Sequence, residues 1–443
     1  ARHIAQTRSP FHLKERRLAP SIVTHPTILK RRTLSQFAPS PSGIASVVGT
    51  KMETSMTELI DEPQIRPSRR TWLKLAGAGA IGAAAVLPAC APSSNADEKP
   101  AVPEIDPDAL AIMSSNENPF GPSPMAQAAM IEAVGDIYRY TGPLTAKFGK
   151  IIAEREGVEP AQVLVTNGST PILAAFADWV SVQGGDIITS ATTYEGVPRV
   201  AEKVGVNVIY TPLTPDMGYD LAAIAAQLGP NTGAVYLCNP NNPTGKTIDP
   251  VALKAFVEEA SAKVPVFIDE AYLDMADDYP AGVMSEFVSA GRPVVVARTF
   301  SKLSAMAGQR IGYAVMPADM VMDMRMSGRL SNVNHLGLVG AIASLEDTAY
   351  FEEMRLKTKL GREKLIAMAD DLGRPIAPDP QGSFIYMDLG MNNAEFAAKM
   401  LDKGVRVVGA RWSELPQWTR ICVGLDHEIE KCHAAAKEIL TSV

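Results

Sequence analysis

The chain has 443 residues, of which 46% are hydrophobic, 21% charged and 6% aromatic. These proportions are typical of a folded globular protein and exclude a disordered chain, a collagen-like repeat and a polytopic membrane protein. The formal net charge of −7 is unevenly distributed: residues 1–50 carry eight Lys and Arg against one Glu, whereas residues 91–443 have a net charge of −15. Such an acidic body does not favour binding to a nucleic-acid backbone.

A twin-arginine pair and an apolar run precede the acidic body. Ser68-Arg69-Arg70-Thr71-Trp72-Leu73-Lys74 is followed by a charge-free run of 14 residues, 75–88, and then by Ala89-Cys90. The pattern resembles a twin-arginine export signal with a lipobox, and the run is too short to span a bilayer as a helix. We expect export to the periplasm, with or without a membrane tether through a lipid on Cys90. Simple cleavage nearby and an uncleaved amphipathic helix are the alternatives.

The leader divides into three predicted segments. Residues 1–51 contain five prolines and no steady apolar period, and Met52 lies at the usual distance upstream of a twin-arginine pair, so we expect a disordered upstream extension that is not used in the cell. Residues 52–90 are the predicted signal peptide. Residues 91–104, rich in Ser, Asp, Glu and Lys, are typical of a flexible linker.

Short runs rich in Val, Ile and Tyr alternate with amphipathic stretches in the body. This alternation predicts βαβ units, hence an α/β fold with a mostly parallel sheet and helices on both faces. A long charged helical stretch, Tyr350–Leu372, then leads to a second set of strands. We therefore expect a large domain over residues 105–345, including an N-terminal arm, and a smaller C-terminal α/β domain over 346–443. The predicted strands of the large domain are Gln162–Thr166, Asp186–Ser190, Val206–Tyr210, Gly233–Leu237, Val264–Asp269 and Pro293–Arg298.

Polar motifs follow several of these strands where each strand ends. In α/β sheets ligands bind at the carboxyl ends of the strands, so these motifs are expected to meet. They are Thr166-Asn167-Gly168-Ser169-Thr170, Asn239-Pro240-Asn241-Asn242-Pro243-Thr244-Gly245, Asp269-Glu270-Ala271-Tyr272, Thr299-Phe300-Ser301-Lys302 and Gly308-Gln309-Arg310.

This set of motifs, in this order, resembles the class I/II aminotransferases of pyridoxal 5′-phosphate (PLP) fold type I. Asn116-Glu117-Asn118-Pro119-Phe120-Gly121-Pro122 and Asn332-Val333-Asn334 narrow the resemblance to the histidinol-phosphate aminotransferase branch. It covers roughly residues 105–435. The resemblance implies a seven-stranded sheet in the large domain, a homodimer, and transfer of an amino group between an amino acid and a 2-oxo acid.

The resemblance assigns the catalytic residues. PLP is an aldehyde, so it needs an amine, and Lys302 matches the family's Schiff-base lysine and proton carrier. Asp269 matches the carboxylate that keeps the ring nitrogen protonated. Tyr272 and Asn242 match the pair that hydrogen-bonds the ring oxygen, and Tyr194 matches the aromatic ring that stacks on the cofactor.

The remaining assignments concern anionic groups. A phosphate dianion suits the N–H groups at a helix N-terminus and a fixed cation. Arg420 matches the arginine whose planar guanidinium holds the substrate α-carboxylate by bidentate hydrogen bonds. Asn118 is a further predicted substrate contact. The cofactor phosphate is expected to be held by Gly168, Ser169, Thr170, Thr299, Ser301 and Arg310, and by Tyr140 from the other protomer of the dimer.

Two positions depart from the histidinol-phosphate pattern. Asp388 stands where the pattern Asn-Phe-x-x-x-Arg ends, and Val408 stands where Gly-x-x-Val-Arg ends. Loss of two cations weakens binding of a distal phosphate, although Arg406 or Arg411 could replace them by another route. We therefore expect an unphosphorylated amino acid rather than histidinol phosphate as the donor, with Asp388 favouring polar or cationic side chains.

Two alternative functions remain open. The first is another PLP reaction on the same scaffold, by a decarboxylase, a lyase or a cyclising enzyme, because cofactor-binding motifs do not choose among them. The second is a non-catalytic exported binding protein, which the intact set of site residues does not favour.

Apart from Cys90, three cysteines remain and are expected to be buried thiols, and the histidines form no metal-ligand spacing.

Overall fold

The computed structural model describes residues 110–326 and 328–441. The predicted upstream extension, signal peptide with Cys90 and linker lie outside the described residues. In the described ranges, no helix has both the length and the apolar character needed to cross a membrane.

The described chain alternates strands and helices as the sequence pattern predicts. The strands are β1 (Ala111–Ile112), β2 (Val163–Thr166), β3 (Asp186–Ser190), β4 (Val208–Thr211), β5 (Thr232–Cys238), β6 (Val266–Asp269), β7 (Val294–Thr299), β8 (Gly312–Val315), β9 (Phe384–Asp388), β10 (Val405–Arg406) and β11 (Trp418–Cys422). The α-helices are α1 (Pro124–Glu132), α2 (Gly142–Glu156), α3 (Thr170–Gln183), α4 (Pro198–Lys203), α5 (Leu221–Gln227), α6 (Pro250–Ala260), α7 (Ser285–Ser289), α8 (Ala318–Met326), α9 (His335–Glu346), α10 (Thr348–Asp371), α11 (Asn393–Asp402) and α12 (Asp426–Thr441). Short 3-10 helices cover Ala133–Asp136, Pro160–Gln162, Leu273–Met275 and Ala307–Gln309.

Side-chain caps mark the starts of several helices. Asp249 accepts a hydrogen bond from the Ala252 N–H, and Pro250 occupies the first turn of α6. Asp347 caps the 24-residue helix α10 in the same way. These residues satisfy N–H groups that have no partner within the helix, which fixes where each helix begins.

Seven strands form one sheet in the order β2-β8-β7-β6-β5-β3-β4. All run parallel except β8, which is antiparallel to both β2 and β7. The predicted mostly parallel seven-stranded sheet flanked by helices is therefore confirmed. Strand β8 is not among the strands predicted from the sequence, because its four residues follow the Arg310 motif without an intervening helix.

Alternation along the strands divides the sheet into two buried faces. On β6, Val266 and Ile268 pack into one core, and Phe267 packs into the core on the opposite face. Period-two geometry then places Asp269 on the Phe267 side and Glu270 on the other. The two adjacent carboxylates of the Asp-Glu motif consequently have different surroundings.

A third core surrounds the C-terminal strands. β9 and β11 pair antiparallel with Arg420 opposite Tyr386, and β1 pairs parallel with β10. The core includes Met113 and Tyr272 together with buried residues of β9, β11, α10 and α12. The N-terminal segment of the described chain, which contains β1 and Met113, therefore packs with C-terminal elements. The division into domains at residues 345 and 346 stays a prediction.

Candidate active site

A cavity of about 300 Å³ lies where strands β5, β6 and β7 end and helix α3 begins. Ser114, Ser115 and Asn116, which follow β1, and Arg420 of β11 line its other side. The structure thus brings together most of the residues that the sequence singled out. The cavity is lined by Ser114, Ser115, Asn116, Ser169, Thr170, Tyr194, Asn242, Asp269, Ala271, Tyr272, Thr299, Ser301, Lys302, Arg310, Arg411 and Arg420.

Lys302 and Asp269 are the two titratable groups at the centre of this cavity. The Lys302 Nζ donates a hydrogen bond to the Ser115 carbonyl at 3.1 Å and lies 5.5 Å from the centre of the Tyr272 ring. Burial, followed by the nearby Arg420 charge, lowers the pKa of Lys302 to about 8. Burial raises the pKa of Asp269 to about 6, against the opposing effects of the Ala271 N–H and the Lys302 charge. Both groups can therefore exchange protons near neutral pH.

Tyr272 presents its hydroxyl to the same cavity. It accepts hydrogen bonds from the Asn116 Nδ2 at 2.8 Å and from the Asn242 Nδ2 at 3.4 Å. Tyr194 also lines the cavity, where burial followed by the Asp269 charge raises its pKa. The Arg411 guanidinium lies 5.6 Å from the centre of the Tyr194 ring. The cavity is therefore lined by two tyrosines, and the hydroxyl of Tyr272 is held by two amides.

One end of the cavity is built as an anion site. Helix α3 begins at Thr170, and Ser169 makes no side-chain cap bond to it. Pro171 has no N–H, and the Ile172 N–H donates to the Ser169 carbonyl, so the Ser169 and Thr170 N–H groups are the ones available for a ligand. The Arg310 Nη1 donates to the Ser301 Oγ at 3.0 Å, and the Thr299 hydroxyl lies 3.0 Å from the same oxygen. Gly168 has a φ of +81°, with Arg310 packed against its Cα. This end can hold a phosphate.

Arg420 occupies the opposite side and is 2% exposed. Its Nη1 donates to the Asn242 Oδ1 at 2.6 Å, and its Nη2 donates to the Ser114 carbonyl at 2.6 Å. Among the described residues its Nε has no hydrogen-bond partner. A buried guanidinium with an unused donor is suited to a carboxylate ligand.

Some residues to which the sequence gave a role are not among those that line this cavity, namely Gly168, Asn118, Tyr140 and Asp388. The Asn118 Nδ2 donates to the Leu303 carbonyl at 2.7 Å, so Asn118 holds the backbone next to Lys302. Tyr140 is 88% exposed, and its predicted contact with a second protomer stays a prediction. Asp388 accepts from the Gly390 N–H and lies opposite Trp418, two positions beyond the Arg420–Tyr386 pair. The suggested influence of Asp388 on this cavity is therefore not supported.

Five of the lining residues received no site assignment from the sequence, namely Ser114, Ser115, Asn116, Ala271 and Arg411. Two of them, Asn116 and Arg411, bring polar side chains to the cavity tyrosines. Asn116, 1% exposed, has a φ of +51° and contacts Tyr272. Its position in the Asn-Glu-Asn-Pro motif was a signal that could have indicated it. Arg411 approaches from the loop after β10 and forms an ion pair with Glu195 at 3.3 Å. Of the two arginines that the sequence offered as replacement cations, Arg411 lines the cavity and Arg406 is not among the lining residues.

A buried charge cluster lies on the other face of the sheet from Asp269. The Arg298 Nη2 is 2.7 Å from the Glu270 Oε2, and its Nη1 is 3.5 Å from Glu156. Tyr313 donates to the same Glu156 carboxylate. Burial raises the pKa of Glu270 to about 7, although Arg298 opposes the shift. The cluster ties β6, β7 and β8 to helix α2 beneath the cavity.

The chain is similar in sequence to known proteins. Residues 110–439 match the family described as aminotransferase class I and II. The chain is 33% identical over 331 residues to a histidinol-phosphate aminotransferase of Moorella thermoacetica, covering 74% of this chain and 85% of that protein. It is 34% identical over 354 residues to histidinol-phosphate aminotransferase 2 of Pseudomonas fluorescens, covering 79% and 94%.

Solved structures show a similar fold. The crystal structure of histidinol-phosphate aminotransferase from Sinorhizobium meliloti in complex with PLP aligns with a TM-score of 0.67 at 26% identity, covering 77% of this chain and 96% of that one. An aspartate aminotransferase double mutant from Thermus thermophilus aligns with a TM-score of 0.66 at 20% identity, covering 76% and 92%. The likeness extends over nearly all of the described chain.

Proposed function

Because the chain belongs to the class I and II aminotransferase family, we propose that it transfers an amino group from an unphosphorylated amino acid to a 2-oxo acid. It is a PLP-dependent transaminase of fold type I. The observation that carries the proposal is the single cavity that holds Lys302, Asp269, Tyr272, Arg310 and Arg420.

The residues present fit PLP. The start of α3 with Ser301 and Arg310 supplies donors for a phosphate, and the buried Asp269 carboxylate supplies an acceptor for a protonated ring nitrogen. The amine of Lys302 opens into the same cavity. When bound, PLP supplies an aldehyde that bonds to amines and a ring that accepts the electrons left by a departing α-proton.

The chain's own residues then divide the work. Lys302 is the amine that bonds to the cofactor, and once released it moves a proton through its Nζ. Its lowered pKa, about 8, keeps a usable fraction of the amine neutral near physiological pH. Asp269 holds a proton at the ring nitrogen, and burial strengthens that interaction because water is excluded. Arg420 orients the substrate through its carboxylate.

The identity of the amino donor is the more specific part of the proposal. Val408 stands where the histidinol-phosphate pattern has arginine, which supports a donor without phosphate. Asp388, at the other such position, lies beyond the cavity and does not add to this argument. Histidinol phosphate is the second candidate, because the two relatives above carry that name and because Arg411 lines the cavity. Arg411 is already paired with Glu195, so a distal phosphate would compete with that carboxylate.

A donor panel tests the proposal. Purified protein with PLP is incubated with single amino acids or with histidinol phosphate, each with 2-oxoglutarate, and the oxo product and glutamate are measured. Oxo product and glutamate in equal amounts from an amino acid support the proposal. The highest kcat/KM for histidinol phosphate would assign that donor instead. Carbon dioxide or an eliminated product without glutamate would indicate a decarboxylase or lyase, and absence of both cofactor uptake and turnover would indicate a binding protein.

We further propose that the enzyme acts as a homodimer outside the cytoplasm. Exposed apolar side chains at residues 131, 134, 137, 138 and 140 support the dimer. The Ser-Arg-Arg motif supports export by the twin-arginine route, and Cys90 is the candidate site of a lipid anchor. In cell fractionation, Arg69→Lys with Arg70→Lys is expected to retain the protein in the cytoplasm. Cys90→Ala is expected to release any membrane-bound fraction.

A further inference from the structure

The Tyr272 hydroxyl accepts from two amides at once. The Asn116 Nδ2 lies 2.8 Å from it, and the Asn242 Nδ2 lies 3.4 Å from it. A phenol oxygen has two lone pairs and one O–H proton. The two amides occupy both lone pairs of the Tyr272 oxygen. The hydroxyl can therefore take part in a hydrogen bond in the cavity only as a donor, through its own proton.

Arg420 sets the direction of one of these bonds. A guanidinium only donates, and the Arg420 Nη1 lies 2.6 Å from the Asn242 Oδ1. The oxygen of that amide therefore faces Arg420, and its nitrogen faces Tyr272.

Cys422 sets the direction of the other. The Asn116 backbone N–H donates to the Cys422 Sγ at 3.2 Å, and the Sγ donates to the Asn116 Oδ1 at 2.8 Å. The two residues meet because the Cys422 N–H donates to the Met113 carbonyl, which lays the N-terminal segment along β11. The left-handed φ of +51° at Asn116, which Asn tolerates better than most residues, then turns the side chain toward both partners.

We propose that Cys422 and Asn116 are positioning residues that direct the Tyr272 O–H proton into the Lys302 cavity, toward the ring oxygen of bound PLP. Without the thiol, the Asn116 oxygen loses its donor. A half-turn of the amide then lets this oxygen accept the Tyr272 proton, which is withdrawn from the cavity. The proposal rests on the proposed function because the acceptor is the cofactor.

The experiment is a pH titration of the absorbance of the bound cofactor. A hydroxyl that donates to the ring oxygen stabilises the anionic form of that oxygen. The bound cofactor therefore loses its proton at lower pH. Cys422→Ala is expected to raise the midpoint by about one pH unit, the size of one lost hydrogen bond to a charged group. Cys422→Ser, whose hydroxyl can accept and donate at the same place, is expected to keep the wild-type midpoint. Asn116→Asp, which when ionised can only accept from Tyr272, is expected to raise it.

Cys432→Ala is the matched control, since Cys432 is buried in the same core as Cys422, and its midpoint is expected to stay at the wild-type value. An unchanged midpoint in Cys422→Ala, or equal shifts in the Ala and Ser variants, would overturn the proposal. If Cys422→Ala does not fold, an unchanged midpoint in Asn116→Asp would overturn the proposal. Failure of the wild type to take up PLP would instead contradict the proposed function.

Discussion

Arg310 lies over Gly168, with its guanidinium in the space that a Cβ on residue 168 would fill. We expect Gly168→Ala to weaken PLP binding at least tenfold. The methyl group displaces Arg310 from the anion site, and the φ of +81° adds strain for a residue with a side chain. The dissociation constant for PLP, measured by equilibrium dialysis, checks this expectation.

Gly157→Ala is the matched control. Gly157 also has a positive φ, at +67°, but its Cβ would meet open space. We expect the same backbone strain and an unchanged PLP affinity. Equal losses of affinity in both variants would show that strain, rather than the displaced arginine, is responsible.

The rate at which cofactor-free protein takes up PLP should depend on pH through Lys302. The neutral amine is the nucleophile, and the pKa of about 8 predicts a rate that rises with pH and reaches half its maximum near pH 8. Arg420→Gln removes a positive charge that disfavours the ammonium form, so its midpoint should move to higher pH. Arg406→Gln, on the exposed residue of β10, should leave the midpoint in place. A wild-type rate that is constant between pH 7 and 9 would contradict this prediction.

Breaking the buried Arg298–Glu270 pair should destabilise the protein. Arg298→Met leaves Glu270 and Glu156 without their shared cation, and losing one partner of a buried pair costs about 3–5 kcal/mol. Urea unfolding at pH 8 measures this loss. Lys263→Met, which removes an exposed pair with Glu259, should leave the free energy of unfolding almost unchanged.

The same pair predicts a pH dependence. The folded-state pKa of Glu270, about 7, is above its ordinary value, so between pH 4.5 and 7 the folded state binds more protons than the unfolded state. This residue's contribution to stability therefore falls as pH rises through that window. Removing Arg298 makes stability fall more steeply as pH rises. The loss of unfolding free energy in Arg298→Met should therefore be smaller at pH 5 than at pH 8. An equal loss at both pH values would contradict a role for the Glu270 charge.

The apolar side chains at residues 131–140 should form part of the dimer interface. Ile131 is 75% exposed and Tyr138 is 71% exposed, and burying such surface favours association. Ile131→Asp with Tyr138→Asp should raise the dimer dissociation constant at least tenfold in sedimentation equilibrium. Val251→Asp, at a residue of α6 that is 76% exposed, should have no effect. A monomeric wild-type enzyme with full activity would contradict the proposal.

Local sequence patterns were sufficient for much of the fold. Buried strands appear in this sequence as short runs rich in β-branched residues, and the predicted run Asp186–Ser190 coincides with β3. The polar motifs after these strands meet in one cavity because parallel strands end at the same edge of the sheet. That geometry is a property of the fold class, so it was available from the sequence.

Contacts between distant segments were not available from the sequence. Asn116 reaches Tyr272 across 156 positions, and this contact depends on a left-handed residue and on the pairing of the N-terminal segment with β11. Arg411 approaches Tyr194 from a loop, where no hydrophobic period fixes its direction. Asp388 was aligned with a family position, but the register of β9 against β11 places it beyond the cavity.

Three non-glycine residues around Lys302 adopt positive φ: Asn116, Ala305 and Arg310. Each such conformation costs about 1–3 kcal/mol when the surrounding structure imposes it. The fold therefore gives up part of its stability at the place where it holds its reactive amine. Substitutions that relax this backbone can make the protein more heat-resistant and a poorer enzyme, so selection for thermal tolerance alone is expected to act against its activity.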